Sequence, residues 1–279
     1  MNERQLRRVK RLMSSNLFRK AYEDLEFLHR EELRPVRLQL ELMKPELQMR
    51  EQGVASTIVV FGSTRIHPKH EAERLLAAAR RALAKKPGSA ALARRVRSAA
   101  KLLEKSRFYD EARDFARRVS IACQKGGEKR FVISTGGGPG IMEAANRGAY
   151  EAGKKTIGLG ISLPLEQYPN PYITPELNFH FHYFAIRKMH FLLRAKAIVA
   201  FPGGFGTFDE LFEVLTLVQT LKVPRMPIIL FGRTFWDRVV DFDVLVEEGV
   251  IDPPHARLMT FVETAEEAWQ VIRTFYKMP

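Results

Sequence analysis

The sequence predicts a doubly wound α/β protein, a parallel sheet covered by helices on both faces. Three observations carry that prediction: five short apolar runs lie far apart in the chain, helical stripes separate them, and glycine accompanies each run. The runs are STIVVFGS (Ser56 to Ser63), RFVISTGGG (Arg130 to Gly138), KTIGLGIS (Lys155 to Ser162), AIVAFPGG (Ala197 to Gly204) and MPIILFG (Met226 to Gly232). Runs so uniformly apolar suit strands buried on both faces rather than strands with one wet side.

Taken in chain order, Met1 to Arg50 is rich in Leu, Arg and Glu with apolar residues at helical spacings, and Pro35 and Pro45 are expected to divide it into about three helices. It reads as an N-terminal helical extension over residues 1–50. Residues 51–279 are expected to form one Rossmann-like α/β domain. After the first strand comes an Ala- and Arg-rich stretch, about 68–107, interrupted at KPGS (Lys86 to Ser89), which predicts an inserted helical hairpin. Phe108, Ala112, Phe115 and Val119 mark the buried stripe of the next helix. Phe208, Leu211, Phe212, Leu215 and Val218 mark another, a long apolar helix running to Leu221 that suits a subunit interface.

Composition bounds the function classes. Of 279 residues 46% are hydrophobic, enough for one sizeable core with additions. No apolar run approaches the roughly 20 residues that cross a bilayer, and Met1 to Lys20 is too charged for a secretory signal, so a cytoplasmic protein is expected. The single cysteine, Cys123, has no partner for a disulfide within the chain and reads as a core or half-buried thiol. The formal charge of +13 is concentrated in Lys69 to Arg107 (net +9) and Met1 to Arg50 (net +4). Basic helices without interleaved aromatics are solvated or oligomer-facing surfaces more often than nucleic-acid sites, so no nucleic-acid partner and no membrane are expected.

Glycine at the carboxyl ends of parallel strands lets backbone N–H groups approach a ligand, although it also serves tight turns. The dinucleotide fingerprint fails, because Ile141 and Asp209 stand where its third glycine belongs, and the only Gly-Lys pair, Gly153-Lys154, is followed by Lys155 rather than Ser or Thr. A single phosphate fits better. Gly203, Gly204 and Gly206 offer N–H groups, Thr207 a hydroxyl, and a helix expected to begin near Phe208 the positive end of its dipole. Thr207 and Glu210 equally match the spacing of a capping box, which would be purely structural.

PGGFGTFDE (Pro202 to Glu210) resembles the PGGxGTxxE signature of the LOG family, the cytokinin-activating phosphoribohydrolases. FAIRKMHF (Phe184 to Phe191), STGGGPGIMEAANRGAYEAG (Ser134 to Gly153) and FGSTR (Phe61 to Arg65) are similar to that family in order and spacing, over roughly Ser56 to Tyr276. The extension and the basic hairpin look like features of its longer bacterial members. The resemblance implies hydrolysis of the N-glycosidic bond of a purine or cytokinin nucleoside 5′-monophosphate, AMP or an N6-substituted AMP, to free base and ribose 5-phosphate. It implies Arg187 and Glu210 as the catalytic pair, with Gly203, Gly204, Gly206 and Thr207 on the 5′-phosphate and Lys188 beside them. Glu166 is placed near the ribose, and Gly62, Ser63, Gly136, Gly137 and Gly138 in the same nucleotide site. A homodimer or larger homo-oligomer is implied as well.

No cofactor is expected: relatives have carried the label lysine decarboxylase, but no lysine here stands in a context that argues for a pyridoxal phosphate aldimine. No metal is expected either, since His180, His182 and His190 lack a helical ligand spacing and a nearby cysteine. Tyr183, Phe184 and Phe191 read as core. The alternative function is a non-catalytic carrier of a nucleotide or of a phosphorylated cofactor such as molybdenum cofactor.

Overall fold

A computed structural model describes residues 1–162 and 168–278. In chain order the elements are α1 (Glu3–Met13), α2 (Leu25–Leu28), α3 (Arg34–Glu51), β1 (Thr57–Phe61), α4 (Lys69–Lys85), α5 (Ala90–Glu104), α6 (Arg107–Cys123), β2 (Val132–Thr135), α7 (Ile141–Glu151) and β3 (Thr156–Ile161). They continue with β4 (Asn178–Phe181), α8 (Phe184–Leu193), β5 (Ala195–Ala200), α9 (Phe205–Gln219), β6 (Ile228–Phe231), α10 (Arg233–Val239), α11 (Phe242–Glu247), α12 (Pro253–Ala256), β7 (Met259–Val262) and α13 (Ala265–Tyr276).

The strands form one seven-stranded sheet in the order β4-β3-β2-β1-β5-β6-β7, and every pairing is parallel. The expected doubly wound α/β class is therefore observed. Alternation along the strands divides the core in two. Ile58, Val60, Ile133, Val199 and Ile229 face α6, α7 and α13. Val59, Phe61, Ile157, Leu159, Ile198 and Leu230 face Met49 of α3, Phe191 of α8, Leu211 and Val214 of α9, and Trp236 of α10. On α6 the stripe Phe108, Ala112, Phe115 and Val119 is buried, as its spacing predicts.

The chain leaves β1 outward to β2, β3 and β4, then returns to β5 on the other side of β1. The carboxyl ends of β1 and β5 therefore flank the topological switch point, where open α/β sheets bind ligands. Ser63 N–H donates to Pro202 O across that gap at 3.1 Å.

Several expectations are corrected. The two prolines do not break the N-terminal segment as predicted: Pro35 sits in the first turn of α3, where its missing N–H is an orphan in any case, and Pro45 lies buried inside the same 18-residue helix. The sheet has two further strands, β4 and β7, at its edges. Gly158 and Gly160 lie within β3 rather than beyond it. The KPGS break, by contrast, falls between α4 and α5 as the inserted hairpin requires, and Ser89 caps α5 by accepting from Leu92 N–H. Cys123 closes α6 half-buried, and burial pushes its thiol up to about 11.

Candidate active site

The loop after β5 is the first part of the site. α9 begins at Phe205, three residues before the position its sequence suggests, with Gly204 as its N-cap. Thr207 N–H and Phe208 N–H both donate to Gly204 O, at 2.9 and 3.1 Å. The amides of Phe205 and Gly206, as first-turn donors, have no intrahelical acceptor and face outward with the positive end of the helix dipole. This start removes the capping box: Thr207 and Glu210 both lie inside the helix, and no side chain caps it.

The glycines of the loop answer to different demands. A Cβ at Gly203 would run into the Thr207 side chain, so that position is fixed by packing. Gly204 and Gly206 have nothing within 4 Å of a Cβ and no positive φ, so neither crowding nor backbone strain requires them. A bare backbone there leaves the loop amides open to an anion from outside the fold.

Glu210 projects from the next turn of α9. It is 7% exposed. Burial pushes its carboxyl up to about 7, against the opposing pull of Lys188 and Arg187. Arg187, on α8, is likewise desolvated, and burial lowers its pKa while the Glu210 charge holds it up. Among the described residues no salt bridge joins the two, so each keeps hydrogen-bonding capacity for a third group. Arg187 Nε donates to Leu159 O of β3 at 2.7 Å, and its guanidinium lies 4.9 Å from the Phe191 ring centroid. The tip of the guanidinium fills the space over Gly136, where a Cβ would stand 2.7 Å from Nη2.

The loop after β2 forms the opposite wall and is held by a buried polar network. Asn146 Oδ1 accepts from the Thr135 hydroxyl and the Asn170 amide, and its Nδ2 donates to Thr156 Oγ1 and Ile157 O. Asn170 Nδ2 also donates to the carbonyls of Gly137 and Gly138, and Gly137 N–H donates to Thr135 Oγ1. With every polar group of Asn146 partnered, the network is rigid and fixes the glycine loop.

These parts enclose one cavity of about 800 Å³. Of the thirteen residues expected at the site, eleven line it: Gly62, Ser63, Gly136, Gly137, Gly138, Arg187, Gly203, Gly204, Gly206, Thr207 and Glu210. Lys188 does not. It turns along the flank of α9 and pairs with Asp209 and Glu213, both at 2.9 Å. Glu166 lies outside the described residues. Phe184, expected in the core, is half-exposed at the cavity rim, whereas Phe191 is buried as expected.

The sequence reading missed Leu102 and Lys105, which line the cavity from the end of the inserted hairpin. No local pattern signals them, because a basic helix face looks the same whether it meets solvent or a cleft. Burial lowers the Lys105 pKa. It also missed Arg65, and Phe205, which is 95% exposed beside the glycine loop. No group of three or more potential metal ligands occurs among the described residues.

A family model described as possible lysine decarboxylase matches residues 142–272, a span that includes Arg187, the glycine loop and Glu210. A probable cytokinin riboside 5′-monophosphate phosphoribohydrolase of Oryza sativa subsp. japonica, LOGL3, is 29% identical over 150 residues, 49% of this chain and 64% of its own length. The cytokinin riboside 5′-monophosphate phosphoribohydrolase LOG7 of Arabidopsis thaliana is 31% identical over 146 residues, 50% of this chain and 65% of its own length. The family model and these relatives each match about half of the chain. The chain spans a little under two thirds of the length of these two relatives. The X-ray structure of a structural-genomics target, TM1055, is 23% identical and covers 78% of this chain and 99% of its own, with a TM-score of 0.48.

Proposed function

We propose that this chain hydrolyses the N-glycosidic bond of a nucleoside 5′-monophosphate, releasing the free base and ribose 5-phosphate. The observation that carries the reading is the placement of an anion-ready helix N-terminus and a desolvated carboxylate on one rigid helix. Gly206 and Glu210 are four residues apart on α9, about 6 Å along its axis. That is the reach of a ribose between its 5′-phosphate and its anomeric carbon. A phosphate seated on the amides of Gly204, Phe205 and Gly206 would bring C1′ to the Glu210 carboxylate.

Cleavage of the C1′–N bond develops positive charge on the ribose. Ionised Glu210, shielded from solvent, would stabilise that charge and take a proton from the attacking water, whose oxygen bonds to C1′. The bonding electrons leave with the base, which becomes the neutral free base by taking up a proton from solvent, while Glu210 releases the proton it accepted from water. Arg187 is a poor proton donor because a guanidinium holds its proton, so its role is electrostatic: it stabilises electron density on the departing base or on the phosphate. The names of the LOG relatives support this activity and point to N6-substituted adenine nucleotides among the substrates.

The test is release of free base, followed by chromatography, from AMP, GMP, CMP, UMP and N6-isopentenyl AMP beside the matching nucleosides. Release from monophosphates alone is expected, because a nucleoside offers nothing to the glycine loop. No release from any of them, with phosphate ligands still raising the melting temperature, would replace the hydrolase by a nucleotide or cofactor carrier.

A further inference from the structure

α8 carries Arg187 and has no cap of its own. Tyr183 occupies its N-cap position without a side-chain cap hydrogen bond, and no acidic residue stands in its first turn. An acceptor for the amides that lead into α8 comes instead from α3, in the N-terminal segment. Glu41 Oε1 accepts from His182 N–H at 2.8 Å and Oε2 from Tyr183 N–H at 3.1 Å. One carboxylate thus satisfies two donors at the positive end of α8, the arrangement that favours an anion.

The grip extends along both helices. Arg37 Nε donates to the Tyr183 hydroxyl at 3.2 Å. Glu46 pairs with Arg194 at the far end of α8, and its Oε1 stands 3.5 Å from Nδ1 of the buried His190, outside hydrogen-bond geometry. Burial lowers the His190 pKa, so the imidazole is neutral at neutral pH and the cap and the Arg194 pair carry the attachment.

The capped turn is the turn that carries Arg187, whose N–H donates to Tyr183 O at 3.1 Å. Its guanidinium occupies a slot with little clearance, bounded by Leu159 O and by the bare backbone of Gly136. A small shift in where α8 begins would therefore move the guanidinium relative to Glu210, and misplacements of about 1 Å are enough to reduce turnover strongly.

We propose that Glu41 is a positioning residue, which caps α8 from the N-terminal segment and so sets the place of Arg187 in the site. This rests on the hydrolase reading above for the role of Arg187. In wild type and the variants Glu41→Ala, Glu41→Asp and Met49→Ala, two quantities are measured: AMP hydrolysis, and amide hydrogen exchange of residues 182–188. Met49→Ala loosens α3 through a core cavity and leaves the cap in place.

The expected result for Glu41→Ala is a kcat lower by about tenfold with KM within about twofold, and faster exchange at 182–188. Glu41→Asp, which keeps a carboxylate, recovers part of both. Met49→Ala keeps kcat at an equal loss of melting temperature. The proposal is overturned if exchange in Glu41→Ala matches wild type, or if Met49→Ala loses kcat to the same extent. A wild type that releases no base, with exchange at 182–188 still faster in Glu41→Ala, counts against the hydrolase reading and leaves the cap standing.

Discussion

Glu210 is held where its charge is least comfortable. A carboxyl pushed up to about 7 by burial binds a proton in the folded chain over a range where the unfolded chain, near 4.5, has released it. The folded state then holds more protons than the unfolded state, so this group's contribution to stability falls as pH rises from about 4.5 to about 7 and stays lost above that. The difference amounts to about 3 kcal/mol at pH 8. Glu210→Gln, which removes the buried charge and keeps the shape, is expected to melt several degrees higher than wild type at pH 8 and close to it at pH 4.5. Thermal melts at the two pH values check this. Equal melting at pH 8 would mean that Glu210 is not desolvated in the free protein.

At the scale of elements, the site is a meeting of α8, α9 and the loop after β2, and Gly136 is where two of them touch. A Cβ there would meet Arg187 Nη2 at 2.7 Å and Met142 Sδ at 2.9 Å, both the free ends of flexible side chains. Gly136→Ala should therefore fold normally, with the melting temperature within a few degrees of wild type, while the displaced guanidinium lowers kcat by about tenfold or more. Kinetics and a melt on the same preparation separate the two effects. The central strands and their glycine loops were legible in the sequence because strands buried on both faces leave continuous apolar runs. β4 and β7 were not. Each is a four-residue edge strand; β4 exposes alternate residues, Asn178 and His180, β7 exposes Thr260, and neither leaves a long apolar run. The start of α9 was misjudged because the spacing of Thr207 and Glu210 fits a capping box, whereas glycine serves as the cap.

Over the whole molecule, the cavity opens where β1 and β5 part, and the charge is arranged around it unevenly. The inserted hairpin carries a net +9, and its end contributes Lys105 and Leu102 to the cavity wall. Most of the site could be read from local motifs, since the glycine loop after β5, Arg187 and Glu210 each lie within a short contiguous stretch. The rest depends on contacts between distant segments that no local pattern encodes. Glu41 meets His182 across 141 residues, Asn170 reaches Gly137 and Gly138, and the hairpin meets the cleft only once the sheet has formed. Lys188 shows the converse: its place beside Arg187 in the sequence suggested a ligand contact, but helical geometry turns it to Asp209 and Glu213.

The central claim is that the ionised carboxylate of Glu210 drives cleavage of a nucleotide anchored at the head of the same helix. The most direct test is the pH dependence of kcat/KM for base release from AMP, between about pH 5 and 9, in wild type and Glu210→Gln. The account predicts a wild-type rate that rises with pH through a midpoint near 7, where Glu210 loses its proton, and no measurable release by Glu210→Gln at any pH. Release by Glu210→Gln at a rate near wild type would contradict it.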